Sequence, residues 1–144
     1  MIVSYNPSLQ NIALELGNKM HLESRFKKYN FDNNKIIKVL ENPNVFCKIA
    51  FIDEKPVGFF IGVIQQMWFS DEKAGYDLAL YIDKEYRGGM TAVRLIKEFE
   101  KFCKENNCVT INLNAGAEIA NESAKRLYKK LGYNEYGFMT HKEI

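Results

Sequence analysis

The sequence predicts an α/β fold of the mixed, α+β kind: a mostly antiparallel central sheet with helices on both faces. Three observations predict it. Residues 45–69 read as two β-rich runs either side of a tight turn. Residues 76–103 read as a strand, a glycine pair and an amphipathic helix. Helices and strands intermix along the whole chain, with no internal repeat, low-complexity tract or linker. The 144 residues, 47% hydrophobic and 13% aromatic, suffice for one domain with a real core and are short for two, so a single domain over 1–144 is expected.

Each element has its own signal. After Pro7, the apolar residues Leu9, Ile12, Leu16 and Met20 recur at helical spacing, and "FDNNKIIKVLEN" predicts a second short helix capped by Asp32 or Asn33. "VFCKIAFI", the turn "DEKP" and "VGFFIGVIQQMWF" predict an antiparallel hairpin, because β-branched and aromatic residues dominate and Pro56 cannot donate within a ladder. "YDLALYID" predicts a third strand, ended by "KEYRGG". In the helix that follows, Ala92, Leu95, Ile96, Phe99, Phe102 and Cys103 form the core stripe, opposite Arg94, Lys97, Glu98 and Lys101. "CVTINLN" alternates Val109, Ile111 and Leu113 against polar neighbours, "NESAKRLYKKLG" is a helix that Gly132 ends, and "YGFMTHK" predicts a closing strand.

Composition excludes several function classes. The net charge of +2 comes from 20 basic and 18 acidic residues spread along the chain, so no basic stripe for nucleic acid stands out. The most apolar stretch is interrupted by Gln65 and Gln66 and is shorter than the roughly 20 residues of a spanning helix, which argues against a membrane anchor. The N-terminus lacks the pattern of a signal peptide, and Cys47, Cys103 and Cys108 read as reduced core thiols; both point to a cytoplasmic protein. The two histidines, His21 and His141, show no metal-binding spacing, so no metal is expected.

Arg87, Gly88 and Gly89 stand between a strand and a helix. Unpaired N–H groups at a helix start form an anion-binding nest; glycines let a phosphate approach the main chain, and the arginine adds a permanent cation. The alternative is an ordinary turn in which glycine supplies a positive φ. The stretch is neither a P-loop nor a G-x-G-x-x-G loop.

Arg87-Gly88-Gly89-Met90-Thr91-Ala92 resembles the [RQ]-x-x-G-x-[GA] signature of the GNAT superfamily of acyl-coenzyme A dependent N-acetyltransferases. Arg87 and Ala92 match, whereas Met90 stands where the family usually has glycine. Asn121, Ala124, Leu127, Tyr128, Gly132 and Tyr133 match a second family element, N-x-x-A-x-x-L-Y-x-x-x-G-[FY]. The likeness covers residues 75 to 133, and the preceding helix, helix, hairpin order extends it over most of the chain. "MHLES", residues 20–24, is also similar to a segment of small family members often encoded by phages.

The resemblance implies a GNAT-like fold using acetyl-CoA as co-substrate. It places the coenzyme diphosphate on residues 87–92 and the pantetheine arm along Leu80, Tyr81 and Ile82, where a strand splays from its neighbour. It implies that an amine of a small molecule or protein attacks the thioester directly, with Asn121 as a coenzyme contact and Tyr128 as the acid that protonates the leaving thiolate. From the residues alone, Asn121 also reads as a helix cap and Tyr128 as amphipathic core. The candidates for general base rank Glu23 and His21 above Asp77, the alternatives being a capping carboxylate and an ordinary helix-end histidine. Only residues 134–144 follow Tyr133, short of the family's usual final hairpin, so an unpaired sheet edge and a homodimer are expected. Two other functional readings stay open: a non-catalytic binding module, and acetylation of aminoacyl-tRNA, the latter weakened by the modest charge.

Overall fold

The computed structural model describes residues 1–115, 119 and 121–144. Five strands form one sheet in the order β1-β2-β3-β4-β5. They are β1 (Ile2–Ser4), β2 (Val45–Ile52), β3 (Lys55–Gln66), β4 (Lys73–Ile82) and β5 (Cys108–Asn112). The helices are α1 (Gln10–Glu23), which follows a 3-10 turn at Pro7–Leu9, α2 (Asn33–Glu41), α3 (Thr91–Glu105) and α4 (Asn121–Lys130). Neighbouring strands are antiparallel except β4 and β5, which run parallel with α3 as their crossover. Among the described residues no helix is long and apolar enough to cross a membrane.

The sheet separates two cores because successive strand side chains point to opposite faces. Ala50, Phe60 and Ile82 join Leu95, Ile96, Phe99 and Cys103 of α3 on one face. Their chain neighbours Ile49, Phe59 and Tyr81 join Ala13 and Leu16 of α1 and Leu40 of α2 on the other. The predicted α3 stripe is thus core, with Phe99 and Leu95 fully buried. α3 lies close on β4 at Gly75, where a Cβ would run into the Cys103 sulfur and the Phe99 ring.

Local chemistry explains the boundaries. Asp32 caps α2, its carboxylate accepting from Lys35 N at 3.2 Å. The β2–β3 turn is two residues long, Asp53 and Glu54 both having positive φ (49° and 64°), the geometry that suits the right-handed twist of a hairpin. Pro56 lies inside β3, opposite Phe51 and next to a register shift, the kind of place where a strand tolerates proline.

The structure adds one strand and corrects several sequence expectations. The stretch "MIVS" carries a strand, β1, paired to β2 through Ile2↔Ala50. β4 begins three residues before Tyr76, at Lys73. Val109 is 57% exposed: a register shift after Lys73 lets Cys108 and Thr110 pair with successive β4 residues, so the alternation breaks at Val109, while Cys108, Ile111 and Leu113 pack on the α3 core. The closing strand predicted over "YGFMTHK" is absent. Gly137 turns into positive φ (70°), which breaks the alternation, and Tyr136 Oη donates to Asn112 Oδ1 at 2.7 Å.

Candidate active site at the opening between β4 and β5

The parallel pairing of β4 with β5 covers only Lys73 to Tyr76. β5 ends at Asn112, whereas β4 runs on to Ile82, so beyond Tyr76 the two strands part. A second irregularity falls at the same place. The register between β3 and β4 jumps from Ile61↔Ala79 to Gly62↔Asp77, leaving Leu78 as the extra residue of a β-bulge with its side chain half exposed. Bulges twist a strand and free main-chain groups from the ladder.

Asp77 sits where the strands separate. It is only 9% exposed, and its carboxylate accepts hydrogen bonds from Asn114 N (3.2 Å to each oxygen) and Asn114 Nδ2 (3.0 Å). Burial pushes its pKa from 3.8 up to about 6, the Asn114 backbone hydrogen bonds opposing that shift. Tyr128 Oη donates to the carbonyl of the same Asn114 at 3.3 Å. Burial, then the nearby Asp77 charge, drives the Tyr128 hydroxyl well above the usual tyrosine range, so it holds its proton. The end of α4 fixes this tyrosine. Gly132, at φ +92°, lets Gly132 N bond Lys129 O and Tyr133 N bond Tyr128 O, and the Tyr128 and Tyr133 rings meet at 6.2 Å, a Schellman cap with its side-chain contact.

The loop into α3 supplies main-chain donors. Gly88 has φ +88°, both glycines are exposed, and a Cβ on either would meet nothing within 4 Å. Met90 is the N-cap of α3 in right-handed geometry (φ −90°, ψ −2°) and makes no side-chain cap hydrogen bond, which leaves the first-turn amides open to an anion. Glycine is therefore not needed at position 90. The Met90 side chain shares a hollow with Met1, Ile2 and Val93, toward β1 and away from the opening. At the start of α4, Asn121 Oδ1 is buried with no hydrogen-bond partner among the described residues. An orphaned buried acceptor and an uncapped helix start both fit a polar, anionic ligand with amide donors.

The other sequence candidates gather elsewhere. Arg87 does not point into the glycine nest. Its Nε donates to Ile82 O at 2.8 Å and its two terminal nitrogens grip Glu23 at 2.7 Å each, beside the Tyr81 ring. The Arg87 hydrogen bond holds the Glu23 carboxyl below its usual range, which makes it a weak base. His21 Nε2 donates to Tyr29 O at 2.7 Å, and the ring packs on Phe31 at 5.3 Å, so it serves the turn after α1. Along β4, Tyr81 is roughly 13 Å from Asp77 at strand rise. Tyr81 and Ile82 bury their side chains in opposite cores and Leu80 packs on the α3 core, leaving their backbones as the edge of the opening. Asn114 escaped the sequence reading. The signal pointing to it was Asp77 itself, an acid inside the apolar run "YDLALYI" that needed a nearby donor.

Residues 8–133 match the model of the acetyltransferase (GNAT) family. The chain belongs to the GNAT acetyltransferases. No curated protein matches the sequence significantly. Among solved structures, the GNAT chain is similar to an aminoglycoside acetyltransferase from an uncultured soil metagenomic sample (17% identity, TM-score 0.81, covering 100% of this chain and 97% of the other). It is also similar to a ribosomal-protein-alanine N-acetyltransferase from Brucella melitensis biovar Abortus 2308 (17%, 0.79, 100% and 98%). A third is aminoglycoside N-acetyltransferase AAC(6')-Iy in complex with coenzyme A (14%, 0.78, 100% and 99%). At these identities the likeness is one of fold, and the fold is that of the GNAT acyl-CoA N-acyltransferases.

Proposed function

We propose that this GNAT chain, acting as one domain, transfers an acetyl group from acetyl-CoA to a primary amine of a small molecule or protein, by direct attack on the thioester. The observation that carries the reading is the Asp77–Asn114–Tyr128 cluster at the point where β4 and β5 part. Asp77, poised near pH 6, accepts the proton of the attacking amine, and it replaces Glu23 and His21 as the base because both of those are engaged elsewhere. Tyr128, which keeps its proton at neutral pH, donates it to the departing sulfur. The bulge at Leu78 supports a main-chain donor for the carbonyl oxygen as it gains charge. The uncapped start of α3 with Gly88 and Gly89 suits the diphosphate, Asn121 suits an amide of the pantetheine arm, and the backbones of Leu80, Tyr81 and Ile82 suit strand-like pairing with it. Sulfur leaves as a neutral thiol, and the proton on Asp77 balances the one Tyr128 gave up.

The test is release of coenzyme A with a panel of amines, alongside the melting temperature with acetyl-CoA. A ligand of the native state raises the melting point by mass action. Tyr128→Phe is expected to lose on the order of a hundredfold in kcat while keeping the acetyl-CoA shift. No shift at millimolar acetyl-CoA with the wild-type chain would rule out the coenzyme reading.

A further inference from the structure

Two ion pairs join α1 to the stretch between β4 and α3. Lys19 Nζ meets Asp83 Oδ2 at 3.1 Å, and Arg87 grips Glu23 through both of its terminal nitrogens at 2.7 Å. Lys19 and Glu23 are one turn apart on α1, and Asp83 and Arg87 bracket the 3-10 turn Lys84–Tyr86. The polarity alternates, Lys to Asp and then Glu to Arg, so a slip by one turn would set like charges against each other. The second pair is the better held. Lys19 is 45% exposed, whereas the Arg87 and Glu23 side chains are 25% and 26% exposed, and Arg87 is also anchored on Ile82 O and over Tyr81. Two-pronged arginine to carboxylate bonding fixes direction as well as distance.

We propose that Glu23 is a positioning residue: through Arg87 it holds Gly88, Gly89 and the start of α3 in place for the coenzyme diphosphate, so that α1 sets part of the coenzyme affinity. Arg87 immediately precedes the glycine pair, and its side chain is linked to Ile82, Glu23 and the Tyr81 ring. Loss of the Glu23 grip leaves that residue next to Gly88, at φ +88°, whose lack of a Cβ gives the backbone a wide range of motion. The affinity lost is then the cost of ordering the loop on binding. This inference rests on the acetyl-CoA reading.

The experiment measures acetyl-CoA affinity by calorimetry without acceptor, and then kcat, KM and the pH profile, at temperatures where every variant is folded. Glu23→Gln is expected to weaken acetyl-CoA binding on the order of tenfold, with kcat at saturating acetyl-CoA within about twofold and its pH profile unmoved. Arg87→Glu is expected to weaken binding similarly. Combining Glu23→Arg with Arg87→Glu, which restores the pair in reverse, is expected to recover several-fold of the loss. Wild-type affinity in Glu23→Gln, or a reversed pair no better than Arg87→Glu alone, overturns the inference. A loss of kcat with a shifted pH profile at unchanged affinity also overturns it and makes Glu23 the base. A wild-type chain that fails to bind acetyl-CoA overturns the coenzyme reading first and this inference with it.

Discussion

Asp77 is almost buried in β4 beside the bulge at Leu78, and it is held there by three hydrogen bonds from one asparagine. Its carboxyl binds a proton more tightly in the folded chain (pKa about 6) than in the unfolded one (3.8). Folding stability therefore falls as pH rises between those values, and the deficit is complete above about 6. Asp77→Asn is expected to raise stability at pH 7.5 by about 1 to 3 kcal/mol, to leave it nearly unchanged at pH 3.5, and to abolish turnover; thermal melts at both pH values check it. In the wild type, turnover is expected to drop as pH falls through about 6, where Asp77 becomes protonated. An unchanged stability at pH 7.5 would mean that the carboxylate is solvated. A motif singles out Tyr128 in the sequence, but the surroundings of the candidate bases were not legible there. His21 and Glu23 look free in a sequence, and only packing reveals a ring nitrogen bonded to the Tyr29 carbonyl and a carboxylate gripped by Arg87.

At the scale of elements, periodicity carried α1, α2, α3, the hairpin and the Gly132 cap, since each has a local cause in spacing, capping or turn chemistry. What periodicity missed depends on partners far along the chain: β1 is a strand because β2 offers it an edge, and "YGFMTHK" is not one because no strand among the described residues pairs with it. The loop into α3 gives a prediction of its own. Gly89 directly precedes the N-cap Met90, and a side chain there meets open space. Gly89→Asp is expected to leave the unliganded melting temperature within about 2 °C, since surface changes cost little and a carboxylate suits a helix start. The same carboxylate would repel a diphosphate, so the acetyl-CoA shift should vanish. A retained shift would place the diphosphate elsewhere.

For the whole molecule, the β5 edge and the chain after α4 leave apolar groups in water: Val109 is 57% exposed, Tyr136 81%, Phe138 90% and Met139 73%. An uncovered edge beside such residues is a template for pairing with a second copy, so a homodimer is expected. Light scattering across the micromolar range checks it; a monomer at high micromolar concentration would count against it, and Phe138→Asp should weaken any dimer found. Fold class was legible because it needed only the order of elements, whereas the site was half legible, since its parts meet across separate stretches of chain. The single parallel strand pair bears on how the protein comes to exist. β1 to β4 close through antiparallel neighbours, while Asn114 and Tyr128 arrive only after the chain has crossed the sheet along α3. A nascent chain that has emerged as far as β4 already displays Asp77, buried by nothing from β5. The residues proposed to act with this acid are synthesised last, so the proposed site is completed only at the end of folding.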